Sequence, residues 1–496
     1  MISIRNSTIR ILGYSLLLVN ILLFFLTWLR WPVGIPAAAV LLAGFFFLVR
    51  DVLQDQRTIQ VSIATLLGLC GLMLAWTLFC GLGGVFPQKG DLHWRNAILH
   101  DLINYDWPVR YLDLADSSLT YYIAFWLGPS LLGKFAALFG GAQAGWIMAN
   151  AAYAVYCAAI LCVVLLLLIS YLNAVSFRRM LLVATILVFF SGLDVIPTLI
   201  KQSGSGHMTL GTHLEWWDLT QYSSNTTQLA WVFNQAVPAW LVTALLFHER
   251  KMDHYAFLGL MLLPYGPLPF LGIFMILALS AMFNLLVATF KRQLQLGLAE
   301  VFSWPNLASG LTILPIFYFY FAMNKTTTEH GLDWNTLPLF NYLFFIMTEF
   351  MIYALLLMRS SLKKKFFLIS VIGLLMIPRL KIGVGQDFSM RVSIPLLFIL
   401  MIYLMEYLLT RLRFRKSGQL KISFTALLLI PIFLVGAVTP LVEFKDTFKR
   451  YAASVSQHTT TFADYFGTLN REDVGHDNFI AINSSDTFFY RFLARK

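Results

Sequence analysis

Long apolar runs separated by short polar connections set the rhythm of this chain from residue 11 to residue 444. A helix needs about 20 apolar residues to cross a bilayer core. Such runs stand at 11–28, 32–49, 61–81, 142–172, 180–199, 228–247, 301–323, 337–358, 366–380, 392–410 and 422–444. The stretch 255–290 carries prolines at 264, 267 and 269. One straight helix cannot pass through three such prolines, each of which removes a donor and crowds the preceding turn. A hairpin of one short and one full helix, turning at Pro264–Pro269, is predicted there. Residues 117–140, SSLTYYIAFWLGPSLLGKFAALFG, are read as amphipathic or re-entrant rather than spanning. The expected fold is therefore all-α: a polytopic bundle of about 13 spans with amphipathic helices on its outer face. Residues 1–444 make the membrane module, with a first outer loop at 82–141. Residues 445–496 make a small polar segment, too short for much of a core alone.

Composition agrees with the pattern. Hydrophobic residues are 58% of the chain, charged residues 12%, and mean hydropathy is +0.72. An ordinary soluble domain is about 25% charged. The net charge of +11 is explained by membrane topology, without a nucleic-acid partner. With the N-terminus inside, the cytoplasmic connections hold 19 Lys and Arg and the short outer loops hold 9, the bias expected of inward-facing loops. The C-terminal segment then lies outside, and the protein is expected in a plasma (inner) membrane. Cys70, Cys80, Cys157 and Cys162 sit in apolar runs and read as small buried hydrophobes.

This threading puts every long polar connection on the outer face, so the chemistry is sought there. The first outer loop contains GDLHWRNAILHDLINYDWP, residues 90–108. Asp91 suits a helix N-cap. Leu92, Leu99, Leu102 and Ile103 then give a short surface helix its apolar face, while His93, Asn96 and His100 share another. A carboxylate at such a boundary, against apolar walls, can serve as a general base. Asp91 is the first candidate and Asp101 the second. His93 and His100 beside Asp91 leave a divalent metal open, although no metal motif is present. No other cofactor is suggested. Between two later runs lies IPRLKIGVGQDFSMRVSIP, residues 377–395. Arg379, Lys381 and Arg391 offer cations for a phosphate, and Asp387 lies beside Arg391 as a substrate contact or an ion-pair partner. The loop 201–235 is rich in groups that bind sugars: Trp217 to stack on a ring, and Gln228 and Asn234 to bond hydroxyls.

The series Gly90-Asp91, Trp94-Arg95-Asn96, Asp101-Leu102-Ile103 and Trp107-Pro108, just after an early span, resembles the first outer loop of GT-C-type membrane glycosyltransferases. YYIAFWLGPSLLGK (121–134), the hairpin LLPYGPLPFLG (262–272) and the late loop with Asp387 and Arg391 extend the likeness over most of the chain. The chain also resembles membrane proteins of bacterial surface-polysaccharide pathways. The resemblance implies an inverting transfer of a sugar from a polyprenyl-phosphate carrier to a glycan or lipid acceptor, with Asp91 in the catalytic position. The partners would be the lipid-linked donor, the acceptor and the surrounding lipids. Two rivals stand beside it. One is a polymerase or ligase using a lipid-diphosphate donor, which would lean on paired arginines. The other is a non-enzymatic lipid or glycan transporter, for which Asp194 and Glu349 are the residues of interest.

Overall fold

The computed structural model describes residues 1–111, 114, 116–203, 211, 213–214, 220–324, 332–382, 387–414, 420–421, 423–456, 467–470 and 479–496. The early helices are α1 (Asn6–Trp28), α2 (Trp31–Val52), α3 (Ile63–Phe79) and the short α4 (Leu92–Asn104). Then follow α5 (Ala124–Tyr171), α6 (Phe177–Phe189), α7 (Val195–Ser203) and α8 (Asn225–Leu246). The middle of the chain gives α9 (Tyr255–Leu260), α10 (Pro267–Phe290), α11 (Leu294–Val301) and α12 (Trp304–Phe321). The last third gives α13 (Leu339–Ser361), α14 (Lys365–Met376), α15 (Asp387–Val392), α16 (Ile394–Arg411), α17 (Phe424–Gly436) and α18 (Val438–Ser456). Eight described helices, counting α17 and α18 as one, are long and apolar enough to cross a membrane. The protein is thus an all-α membrane bundle. α18 runs unbroken through position 445, where the polar C-terminal segment was expected to begin.

Small antiparallel pairings mark the two ends of the bundle. At one end, β1 (Ile2–Arg5) pairs with β2 (Thr58–Val61). At the other, β3 (Arg110–Tyr111), β4 (Ser117–Leu119) and β7 (Ile480–Ala481) form a three-stranded patch, and β5 (Leu332–Trp334) pairs with β6 (Leu380–Ile382). We call this second end the loop face. The C-terminal residues return there to α1: Arg30 donates to the carbonyls of Tyr490, Arg491 and Ala494.

Two local breaks shape the loop face. Gly141, inside α5, has φ 73° and ψ −175°, a region open in practice only to glycine. The helix folds back on itself there. Phe125 and Tyr156, 31 residues apart in sequence, meet at 5.1 Å between ring centroids; a straight helix would hold them about 46 Å apart. Residues 124–140 are therefore an arm folded back against the rest of α5. Its start lies deep, since the backbone N–H of Gly128 donates to Asn20 Oδ1 at 3.0 Å. Asn20 stands eight residues, about 12 Å, before the loop-face end of α1. The second break is the proline turn, where α9 stops after six residues and α10 starts at Pro267. The backbone N–H of Ala124 bonds the Pro264 carbonyl, so arm and turn brace each other at depth.

The centre of the bundle is α8, every described residue of which is buried except Trp231. Ser224 caps it, accepting from the Thr227 N–H. Pro238 has no N–H for the Asn234 carbonyl, and Val232 leaves helical geometry at φ −137°, ψ 35°. The upper half of α8 is bent, and it carries the amides discussed below.

Candidate functional site

α4 begins at Asp91, but Asp91 does not cap it: its backbone is helical and its side chain makes no capping bond. The expected N-cap role is not realised. The carboxylate, half exposed, instead turns to Arg95 one turn on, with 3.8 Å between charged atoms. Arg95 is 4% exposed, and its Nε and Nη1 find no hydrogen-bond partner among the described residues. A buried guanidinium with free donors is costly, so this arrangement is suited to an arriving anion.

Arg391, on α15, reaches the same place from the other third of the chain. Its Nη2 pairs with Asp387 at 2.9 Å and its Nη1 donates to Tyr122 Oη at 3.0 Å. Its Nε is buried without a partner among the described residues. Burial would lower the Arg391 pKa, but Tyr122, Asp387, Tyr121 and Asp91 reverse this and raise it. Asp91 and Arg391, 300 residues apart, thus lie within electrostatic range. Tyr121 feels Arg95 and Arg391 together. The Tyr121 and Tyr122 rings, just before α5, are 3.6 Å apart at their centroids.

Gln235 of α8 completes this group. Its Nε2 also donates to Tyr122 Oη, at 3.1 Å. A Cβ on Gly266 would come within 3.0 Å of Gln235 Cγ, so the proline turn needs glycine there to let the amide through. Gln228 gives its Nε2 to the Ser223 carbonyl and leaves Oε1 unpaired; Asn234, fully buried, has both amide atoms unpaired among the described residues.

The other expected site residues fall elsewhere. Asp101 is fully buried and its oxygens are occupied: Tyr111 Oη and the Leu469 N–H donate to Oδ2 at 2.7 and 2.9 Å, and His100 Nδ1 lies 2.9 Å from Oδ1. It ties α4 to the C-terminal segment. Asn96 is buried and donates to Gln88 Oε1 at 2.6 Å. His93 is half-buried on α4. Arg379 donates to the Leu337 carbonyl at 2.9 Å and lies 3.9 Å over the Tyr342 ring. Lys381 is exposed in β6, opposite Asp333 of β5. Neither shows a contact with Asp91, Tyr122 or Arg391 among the described residues. Trp217 lies outside the described residues. No group of three or more His, Cys, Asp or Glu side chains able to hold a metal gathers among the described residues. Gln235 belongs to the sugar-binding amides of the loop 201–235, whereas sequence reasoning does not pick out Arg95, Tyr121 and Tyr122 as site residues. The one available signal was the i, i+4 spacing of Asp91 and Arg95, which puts opposite charges on one helix face.

Between α3 and α5 lies an apolar crevice of about 280 Å³, lined by Leu74, Leu78, Val85, Ile147, Ala151 and Val155 among others. Gly83, on its rim, donates to Tyr153 Oη, which also receives Gln88. Comparisons with protein families, with curated proteins and with solved structures give no match.

Proposed function

We propose that the protein is a GT-C-like, inverting glycosyltransferase that moves a sugar from a polyprenyl-phosphate carrier to a glycan or lipid acceptor at the loop face. The observation that carries this reading is that Asp91 pairs with Arg95 and lies within electrostatic range of Arg391, which is bonded to Tyr122. The Asp91 carboxylate, half exposed, takes the proton of the acceptor hydroxyl. That oxygen bonds the anomeric carbon as the bond from carbon to the carrier phosphate breaks. The electron pair leaves with the phosphate oxygen, and Arg391 and Arg95 stabilise the charge that gathers there. Neither guanidinium needs an entering metal for this. The carrier chain lies along the apolar crevice between α3 and α5. In this reading the chain crosses a plasma membrane many times, with the N-terminus cytoplasmic and the loop face and C-terminus outside.

A second reading rests on Arg95. Two buried guanidiniums suit a diphosphate as well as a monophosphate, which would make the protein a polymerase or ligase using a lipid-diphosphate donor. The test is the surface glycan of cells carrying Asp91→Asn or Arg391→Ala, with membrane insertion checked. Loss of the glycan in both, at wild-type protein levels, is the expected result. An unchanged glycan in both removes the chemistry. In purified protein, monophosphate and diphosphate carriers offered as donors separate the two readings.

A further inference from the structure

The polar groups left unpaired on α8 form a pattern of their own. Gln228 and Trp231, three residues apart, stand just before the break at Val232, and Asn234 and Gln235 stand just after it. Gln228 is 1% exposed, and Asn234 and Gln235 are wholly enclosed. Among the described residues, Gln228 Oε1, Trp231 Nε1, Asn234 Oδ1 and Nδ2, and Gln235 Oε1 have no hydrogen-bond partner. Buried polar groups are nearly always paired, and each exception calls for a reason. Here the exceptions are adjacent, include both donors and acceptors, and lie on a helix already bent at Val232.

The strip is also wired to the anion site. Tyr122 Oη accepts from Arg391 Nη1 and from Gln235 Nε2. A ligand whose anion draws on Arg391 therefore meets, one side chain further on, an array of neutral donors and acceptors. Ionised groups ask for charged partners; an array of free amide N–H and C=O groups with an indole N–H matches hydroxyls, each of which donates and accepts. None of the four strip residues is charged, and the charged groups beside them, His213 on the Trp231 ring and Arg391 beyond Tyr122, are paired with Glu443 and Asp387, so a sugar carboxylate or ammonium brought here would have to compete for its counter-charge.

We propose that this α8 strip is a subsite for an uncharged, hydroxyl-rich sugar ring, covalently attached to the anion held by Arg391. The proposal rests on the reading of the previous subsection and narrows it: the transferred sugar is neutral, and Asn234 and Trp231 contact its hydroxyls. Gln235 and Tyr122 set the distance between sugar and phosphate.

The test uses the full chain in lipid nanodiscs and three probes: citronellyl phosphate, citronellyl phosphoglucose and citronellyl phosphoglucuronic acid. Binding is titrated to wild type, Asn234→Leu, Trp231→Phe and Arg391→Ala, and each is melted without ligand. The neutral sugar is expected to raise wild-type affinity about tenfold over the bare phosphate, the worth of one or two hydrogen bonds. Asn234→Leu removes that increment, Trp231→Phe reduces it, and both bind citronellyl phosphate as wild type does. The glucuronic probe gains nothing. Asn234→Leu also melts higher than wild type, because an unpaired amide has been replaced by an apolar group of similar size. A sugar increment that survives Asn234→Leu overturns the proposal, as does a preference for the charged sugar. A lower melting point for Asn234→Leu also overturns it, since the amide would then be structural. Failure of citronellyl phosphate to bind, or binding indifferent to Arg391→Ala, sinks the phosphate site instead, and the melting experiment still decides on the strip.

Discussion

Two clusters of buried polar groups sit at opposite ends of this bundle, and they are built on opposite principles. Opposite the loop face, Glu249 receives Arg10 at 2.5 Å, Tyr14 at 2.7 Å and His254 at 2.8 Å. Asp55 receives Asn6 and Arg57 there. His248 is fixed at both ring nitrogens, accepting from Asn6 at Nδ1 and donating from Nε2 to the Leu167 carbonyl at 3.1 Å. This network joins α1 to the chain just before β2 and just after α8, and its acids are all engaged. At the loop face, Arg95, Arg391, Asn234 and Gln235 are as deeply enclosed, yet each keeps an unpaired atom among the described residues. Packing accounts for most of the first cluster, in which Arg10 Nε and His254 Nε2 are the atoms left without a hydrogen-bond partner among the described residues. The second leaves more of its buried polar atoms open, where apolar side chains would be expected from stability alone.

The comparison breaks first on substitution. Removing one partner of a saturated buried ion pair strands the other, at a cost of about 3–5 kcal/mol. Glu249→Ala is expected to lose that much, seen as a large fall in thermal melting of the detergent-solubilised protein. Arg391→Ala frees the half-exposed Asp387 and leaves Tyr122 Oη its bond from Gln235, and should cost far less, about 1 kcal/mol or under. Equal losses would erase the distinction between the two ends.

Acid sharpens the contrast next. Burial and then Arg10 depress the His248 pKa from its ordinary value to about 4. The unfolded chain takes up a proton near pH 6.5 while the folded protein declines it. The stability from neutral His248 is full above pH 6.5 and is lost as pH falls to about 4, a loss of about 3 kcal/mol. For Glu249, burial pulls upward, but His254 and Arg10 override it and bring its pKa to about 2; its contribution persists to lower pH and fades below 4.5. Melting points measured from pH 8 to pH 4 should fall most below 6.5, and His248→Asn should flatten that part of the curve. A wild-type profile flat over this interval would contradict the assigned neutral tautomer.

The smallest effect has the opposite sign. Asn234→Leu is expected to stabilise the empty protein by about 1 kcal/mol, whereas Asn6→Leu, in the saturated network, should destabilise it. Differential scanning of the two variants side by side shows whether the signs differ.

Hydropathy and proline placement were enough to read the bundle. The run at 255–290 breaks where Pro264, Pro267 and Pro269 forbid one helix, and residues 117–140 read as re-entrant because a span there would strand the basic turn after α5. Asp91 and Arg391 were legible as candidates because a charge beside an apolar run demands an explanation. Asp101 was not separable from Asp91 in the same way: both are acids on one short helix. Only the approach of Tyr111 and Leu469 engages the Asp101 oxygens while Asp91 stays half exposed. Arg95 was passed over because an arginine on a surface helix is ordinarily solvated; burial made it notable, and burial is a property of its neighbours.

From the sequence alone come the solvent of the protein, the positions of its long apolar helices and the loops in which charge concentrates, because transfer free energies act residue by residue. Which of those charges would be neutralised by packing and which left open was settled by the tertiary structure. Pairing depends on distances of a few ångströms between groups hundreds of residues apart, and no local pattern along the chain records them.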